Sequence, residues 1–422
     1  MREMKDSGVD WIGKVPANWN VLRNKFIFKF HKDIVGNKVE SYERLSLTMN
    51  GVLKRSKDDN EGLQPIDFVG YQILKQGDLV FKLIDLQNTS TSRVGLSPFT
   101  GLVSPAYISL TPTNFINPSY AELYFLSMWY RNIFNHLGDS GVRSSLNATE
   151  LLEIPITVPS MPEQTRIASF LDSKCSEIDS ITADIQKEIE LLQEYRKSVI
   201  TEAVTKGLDP NVEMKDSGIE WIGSIPKHWD IHRVSNYFYE RSVQNIFEKE
   251  ENLLSLSYGH IIRKDINTNG GLLPANFNTY NIIEPNDIII RPTDLQNDKR
   301  SLRTGLSSEH GIITSAYIDL APYTGVNSKY FHYLLHTYDV EKVFYNMGNG
   351  VRQGLNYSEF AKLLLVQPPK NEQSEIVTYL DSKCAEIDSI IEDKQKQLDT
   401  LAEYRKSLIY EYVTGKKEVP AV

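Results

Sequence analysis

The chain has 422 residues, 41% of them apolar, and a formal net charge of −9. That length exceeds one ordinary hydrophobic core and predicts roughly two to four domains. A polar, charged start (MREMKDSG) and no apolar run near the ~18 residues of a membrane span argue against a membrane protein, and two cysteines argue against a disulfide framework and for a reducing, cytoplasmic location.

In chain order, the first element is a phrase, MKDSGVDWIG at 4–13, that returns as MKDSGIEWIG at 214–223. Short β-branched or aromatic runs follow at 71–74, 78–83 and 107–110, broken by Gly, Pro and Asn, and read as strands. The spacing predicts a short amphipathic helix over 119–132, with Asn117 as its cap and Pro118 in its first turn. The segment NPSY (117–120) resembles the NPPY motif of adenine methyltransferases only superficially, and its twin reads NSKY (327–330). A glycine-rich loop, GVRSSLN (141–147), then leads to a long helix marked by Pro159 and Pro162 at its start and by Gly207 and Pro210 at its exit.

Everything after that repeats. DLQN at 85–88 recurs at 294–297, GLS at 95–97 recurs at 305–307, and SPAYI at 104–108 matches TSAYI at 314–318. GVRxxLN returns at 350–356, LDSKCSEIDSI (171–181) returns as LDSKCAEIDSI (380–390), and EYRKS recurs at 194–198 and 403–407. The offset stays at 209 or 210, so one unit is used twice and a solenoid is excluded. The chain thus reads as four parts: 1–155 and 214–366 as two mixed α/β domains, and 156–213 and 367–422 as two long helices with their tails. Their net charges are +1, −2, −5 and −3 in that order, so the acid is concentrated in the helical segments. Near-neutral domains can still present a basic face, and charge alone neither supports nor excludes nucleic acid.

In the first long helix Leu171, Ile178, Ile185, Leu192 and Val199 fall seven apart. The second gives Leu380, Ile387, Lys394, Leu401 and Leu408, with one lysine in the stripe. A seven-residue stripe is the seam of a coiled coil, and a polar seam residue fixes register at some cost in stability. Helix one runs from the first domain to the second, so the short route for helix two is back beside it. The expectation is an α+β fold: two homologous mixed α/β domains joined by two long helices that form an antiparallel coiled coil with pseudo-twofold symmetry. The rod would be about 60 Å long and would hold Cys175 and Cys384 roughly 28 Å apart, beyond any disulfide. Such a spacer would let two heads read two half-sites on one duplex.

Arg143, Asn147, Arg352 and Asn356 of the two GVRxxLN loops suit phosphate or base-edge contact, or else cap the turn that follows. Gln87, Asn88, Gln296 and Asn297 of the DLQN phrases can read adenine or form Asx turns. Arg93 follows the first phrase and Lys299, Arg300 and Arg303 follow the second. Lys54 with Arg55 and Arg263 with Lys264 form basic pairs in equivalent regions, unless they are simply solvated. The WIGxxPxxW phrase, which holds four of the five tryptophans, reads as an anchor of the domain on its core or on a helix end. No CxxC, HExxH, FxGxG-like or GxxxxGK[ST] pattern occurs, so there is no sequence case for a metal, cofactor or phosphate loop.

The order DSGxxWIGxxPxxW (6–19 and 216–229), DLQN, GLS, an SAY-like segment, GVRxxLN and EQxxIxxxLDxK before a long helix closely resembles the specificity subunit of type I restriction–modification systems. The resemblance covers essentially the whole chain. It implies a non-catalytic, sequence-specific DNA-binding protein whose two target-recognition domains each read one half of a split double-stranded DNA site. It further implies docking of two methyltransferase subunits on the helices and assembly with a translocating endonuclease, with S-adenosylmethionine, ATP and Mg on those partners. The two recognition domains are more alike here than is usual in that family, which points to related half-sites. The rival readings are a coiled-coil scaffold for protein partners without DNA specificity and an enzyme with an unrecognised site.

Overall fold

The computed structural model describes residues 2–59, 67–87, 91–137, 145–266, 274, 276–293, 295, 302–347 and 354–420. They form two compact units, Met1–Ile185 with Gln395–Val422, and Gln186–Lys394. Each unit takes a globular part and a segment of each long helix.

In the first unit, Phe28–His31, Ile108–Pro112, Leu79–Phe81 and Val94–Leu96 form one four-stranded antiparallel sheet. A second sheet runs Gly51–Arg55, Arg44–Thr48, Gly101–Val103, Gln72–Leu74. Two-stranded ladders join Met4–Asp6 to Lys14–Pro16 and Asn20–Arg23 to Pro155–Val158. The helices are α1 (Pro118–Tyr130), α2 (Ile133–Leu137), α3 (Ala148–Glu153) and the start of α4 (Met161–Lys206). Asn117 caps α1 by accepting from the Tyr120 amide, with Pro118 at the first helical position, where its missing N–H costs nothing. The repeated GLS phrase has a packing reason. A Cβ on Gly95 would stand 2.7 Å from Leu47 Cδ1, and one on Gly305 2.6 Å from Leu256 Cδ1. Only glycine lets the neighbouring hairpin lie this close.

The second unit repeats the plan. Phe238–Glu240, Ile318–Pro322, Ile288–Ile290 and Thr304–Leu306 form its four-stranded sheet. The hairpin Leu254–Ser257 with His260–Arg263 and the pair Asn281–Ile283 with Gly311–Ile313 match the other sheet of the first unit, and Leu253 bridges to Ile312. Helices α5 (Ser328–Val340), α6 (Tyr357–Phe360) and α7 (Lys370–Val413) complete the chain.

Within each unit the two long helices run antiparallel. In the first, Phe170 packs against Tyr412 with ring centroids 4.7 Å apart and Arg405 donates to Asp179 at 2.9 Å. In the second, Arg196 pairs with Asp388 at 3.1 Å and Lys394 pairs with Glu188. Leu171, Ile178, Ile185, Val199, Leu380, Ile387 and Leu408 of the seven-residue stripe are buried, and Leu192, Lys394 and Leu401 are half-buried. The stripe does more than hold helix to helix. Leu171 and Ile178 of α4 and Leu408 of α7 belong to the core of the first unit, and Val199 and Leu380 to the core of the second. Each cysteine faces an arginine of the opposite helix: Cys175 lies beside Arg405, and Cys384 beside Arg196. Both thiols are free and pushed up by burial.

The helix ends explain the opening phrase. Each long helix leaves through a left-handed glycine, Gly207 at φ 78° and Gly415 at φ 72°, as helix termini commonly do. A Cβ on Gly415 would stand 2.4 Å from Pro16 Cδ and 3.1 Å from Trp19, and one on Gly207 3.3 Å from Trp229. Lys416 donates to the carbonyls of Ile12 (2.8 Å) and Lys14, and Lys206 to those of Ile222 (3.0 Å) and Ser224. The Tyr120 hydroxyl donates to the Val413 carbonyl at 2.9 Å, and that of Tyr330 to the Val204 carbonyl at 3.1 Å. These carbonyls are among the last of their helices, which lack intrahelical partners. The indole N–H of Trp19 reaches Glu163 at 3.1 Å, and that of Trp229 reaches Glu372 at 3.0 Å. So the end of α7 is seated on the first phrase, and the end of α4 on the second.

One difference between the two cores is a buried acid in the four-stranded sheet. Asp78 pairs with His31 at 2.8 Å, with Ser109 on the neighbouring strand. In the second unit Asp287 pairs with Arg241 at 2.8 Å, and the position of Ser109 is Asp319, 1% exposed. Burial, followed by the nearby Asp287 carboxylate, pushes the Asp319 carboxyl up to about 8.

Two outcomes test this description. Lys416→Ala should speed backbone hydrogen exchange across 4–16 and leave 214–226 unchanged, and Lys206→Ala should do the reverse. Each removes partners from two carbonyls, worth about 1–3 kcal/mol. Asp319 holds its proton in the folded chain through a range where the unfolded carboxyl, near its ordinary 3.8, has lost it. Stability therefore falls as pH rises from about 4 to 8. Asp319→Ser, the first unit's residue, should remove that slope in urea titrations and gain at least about 2 kcal/mol on the parent at pH 8.

Candidate nucleic-acid interface

In each unit the leucine of the GVRxxLN phrase is bonded to the residue two before DLQN. The Leu146 amide donates to the Leu83 carbonyl at 2.9 Å, and the Leu355 amide to the Pro292 carbonyl at 2.9 Å. The residue leaving one loop is thereby fastened to the residue entering the other. In the first unit Asn135 Nδ2 adds a bond to the Leu86 carbonyl at 3.3 Å. One main-chain bond thus ties the end of one phrase to the approach to the other, whatever side chains the two carry.

Arg93 and Arg303 were expected to face a ligand, and the structure corrects this. They are 1% and 0% exposed. Arg93 donates to the carbonyls of Asp85 (2.6 Å), Ile84 (3.3 Å) and Lys82 (3.4 Å), and Arg303 to that of Thr293 (2.6 Å). Both guanidinium groups brace the start of the DLQN loop from inside. Their fork matches several carbonyls at once, which a lysine could not do. The brace lets Asp85 hold a left-handed backbone, φ 52°.

Asn147 and Asn356 cap the helices that follow. Their side-chain oxygens accept from the amides of Glu150 and Glu359 at 3.0 Å, and those glutamates return the bond in a capping box. The side-chain oxygen of each is therefore engaged at the helix start, and both residues stay exposed. Gln87 is exposed. Arg143, Arg352, Asn88, Gln296, Asn297, Lys299 and Arg300 lie outside the described residues.

The basic pairs are exposed or half-exposed, and three of the four cations are matched with acids. Lys54 pairs with Glu43 at 2.6 Å over the Phe99 ring, and Arg55 with Asp59 at 2.6 Å. Arg263 pairs with Glu309 at 2.6 Å, and Lys264 is exposed. Exposed pairs of this kind are worth little, so such cations can be drawn to another anion at small cost. The tips of the same hairpins lie at the other end of the strands. Met49 and Tyr258 are 57% and 75% exposed, and Tyr258 holds φ 46°.

Sequence reasoning missed the roles of Glu163, Gln164, Lys206 and Lys416. Gln164 donates to the carbonyls of Phe115 and Pro159 and accepts from the Asn117 amide at 2.7 Å, which ties the start of α4 to the cap of α1. The repeated EQ, and the pair VTKG (204–207) and VTGK (413–416), were the available signals. Among the described residues no cluster of His, Cys, Asp and Glu could hold a metal, and no helix is long and apolar enough to cross a membrane.

A family model for the type I restriction modification DNA specificity domain matches residues 16–191. The putative type I restriction enzyme MjaX specificity subunit of Methanocaldococcus jannaschii is 25% identical over 97% of this chain and 96% of its own length. The type I restriction enzyme StySPI specificity subunit of Salmonella potsdam is 24% identical over 50% of this chain and 47% of its own. A chain solved in work on complex assembly and conformational transition of the type I R-M system superposes with a TM-score of 0.69 at 12% identity, over 96% of this chain and 99% of that one. The HsdS subunit of Thermoanaerobacter tengcongensis gives 0.51 at 13% identity, over 96% and 98%. The solved structures thus share the fold.

If Arg93 is a brace, Arg93→Ala should cost about 3 kcal/mol in urea unfolding, because buried carbonyls lose their donor. The salt dependence of DNA binding by the folded variant should stay that of the parent, since no phosphate contact is lost.

Proposed function

The chain belongs to the specificity subunits of type I restriction–modification systems, and on that footing we propose that residues 1–155 and 214–366 are its two target-recognition domains, each reading one half of a bipartite double-stranded DNA site. The protein is a non-catalytic specificity subunit. The observation that carries the assignment of sites is the paired loop. The leucine of GVRxxLN makes the same main-chain bond to the residue two before DLQN in both units, which supports a common site for the amides and arginine of the two phrases. Arg143 and Arg352 are the proposed base or phosphate contacts, with Asn88, Gln87, Gln296, Asn297, Lys299 and Arg300 around them. Lys54, Arg55, Arg263 and Lys264 supply further charge to the backbone. The amide nitrogens of Asn147 and Asn356 are left to donate at the edge of the same loops.

The acidic long helices, 156–213 and 367–422, are then surfaces for proteins rather than for DNA. Two methyltransferase subunits and a translocating endonuclease are the proposed partners, and S-adenosylmethionine, ATP and Mg are their cofactors. A near-neutral recognition domain implies that these partners share in gripping the duplex. The comparisons give no support to a protein-binding scaffold without DNA specificity.

Selection from random duplex DNA, with the chain alone and with its methyltransferase, should return a split motif with a fixed gap. Arg143→Ala should relax one half and Arg352→Ala the other, each by about tenfold or more, as expected for the ~1–3 kcal/mol of a good base contact. Thermal melting should stay that of the parent. A loss of both halves from one substitution, without loss of fold, would refute the assignment of one reader to each half-site.

A further inference from the structure

The duplication supplies an internal control: where one unit fills a space with its own side chains, the other shows what that space is built to hold. The contrast is sharpest where the first helix of each globular part meets the long helix. In the second unit Lys329, in the first turn of α5, sets its ammonium 2.6 Å from Asp381 on α7. Tyr333, one turn further on, donates its hydroxyl to the other oxygen of the same carboxylate at 2.8 Å. Asp381 thus holds one cation and one hydroxyl.

Asp172 occupies the equivalent place on α4 in the first unit, within the shared LDSKC phrase. The residues that would answer it are Ser119 instead of Lys329 and Leu123 instead of Tyr333. Behind them stand Ala168 and Ser169, where the second unit has Val377 and Thr378. Every exchange removes atoms, and the result is a groove of about 620 Å³ in the first unit lined by these residues and Glu122. Asp172 is exposed and has no ion-pair partner among the described residues. Glu122 accepts one bond, from the Leu96 amide at 2.7 Å, and burial pushes its carboxyl up. Its counterpart His332 is held neutral, lowered to about 3 by burial. Arg405 reaches the far end of the groove and is engaged by Asp179 at 2.9 Å. The groove therefore carries two carboxyl groups without a cation of their own, beside an apolar wall.

We propose that this groove is a seat for a primary ammonium on a methylene stem, the group that Lys329 supplies from within the second unit. The ammonium would sit against Asp172 with Glu122 beside it, and the stem would lie along Leu123 and Ala168, as amphipathic cations do. An ammonium has three donors and suits two carboxylates and a hydroxyl such as that of Ser119. Its arrival would also favour the ionised form of Glu122, because an opposite charge offsets the cost of burial. The same chemistry is available from a free polyamine or from a lysine of a bound protein. The inference does not rest on the DNA reading.

The test uses the full-length chain with labelled Ala and Leu methyl groups, followed by NMR. Spermidine and an N-acetyl-lysine amide are the probes, each titrated at constant ionic strength. The Ala168 and Leu123 signals should move in the parent. The affinity should fall at least about tenfold in Asp172→Asn, a substitution at an exposed helix position that keeps the fold. In Ser119→Lys the tethered lysine should shift the same signals by itself and abolish the response to either probe. Spermidine alone acting assigns the seat to a free polyamine, and comparable binding of the lysine amide assigns it to a protein side chain. Unmoved methyl signals with both probes, or an unaltered affinity in Asp172→Asn, would overturn the proposal.

Discussion

The fold depends on how a long helix is ended. Every helix leaves its last carbonyls without partners inside itself, and a buried helix end needs donors from elsewhere. Here they come from Tyr120 of α1 with Thr157 beside it, and from Tyr330 of α5, while the repeated opening phrase accepts from the lysines at the helix exits. Tyr120 and Tyr330 reach into the last turns, and the lysines beyond or within those turns reply by donating to the phrase. Trp19 and Trp229 fill the space beside the exit glycines and are themselves held by Glu163 and Glu372 near the starts of α4 and α7. One tryptophan therefore fixes the start of one long helix and the end of the other. Antiparallel pairing follows as a consequence, because a parallel partner would bring the wrong terminus to each phrase.

That constraint also explains why the repeat was so legible. A phrase that must satisfy a helix end tolerates few alternatives: glycine where φ is positive, tryptophan with an indole N–H, and proline at the contact. The seven-residue stripe, the exit glycines and the Asn-Pro cap were readable for the same reason, since each is a local rule with a local residue signature. The burial of Arg93 and Arg303 was not readable. Arginine in a loop beside a polar phrase reads as a surface group, and nothing nearby in sequence says that three carbonyls converge on it. The position of Asp179 against Arg405 needed the partner helix, more than two hundred residues away. The capping roles of Asn147 and Asn356 were readable as one of two alternatives, and the glutamate three residues on was the signal that favoured capping.

Beyond the shared scaffold the two units are free to differ, and where they do is informative. Residues that end helices or brace loops recur with the same chemistry: Tyr120 and Tyr330, Arg93 and Arg303, Gln164 and Gln373. Residues that fill space behind the sheet or along the long helix do not, as Ser109 and Asp319 or Ser119 and Lys329 show. Substitution at the first kind leaves a buried polar group without its partner, costing a large fraction of a domain's stability. Substitution at the second kind exchanges one packed or ionic arrangement for another at smaller cost.

The same reasoning separates what fastens the loops of each unit from what distinguishes them. The approach to each DLQN phrase is fastened by a backbone bond to the leucine of GVRxxLN and by an arginine facing inward. Lys299 and Arg300 follow the second DLQN phrase, where the first has Ser90 and Thr91. A change of this kind alters what a loop can contact without touching Leu146, Leu83 or Arg93, which hold the first loop in place. On the proposed reading, stability and specificity fall to different atoms: the main chain and the buried guanidinium set where the loop is, and the remaining side chains are proposed to set what it meets.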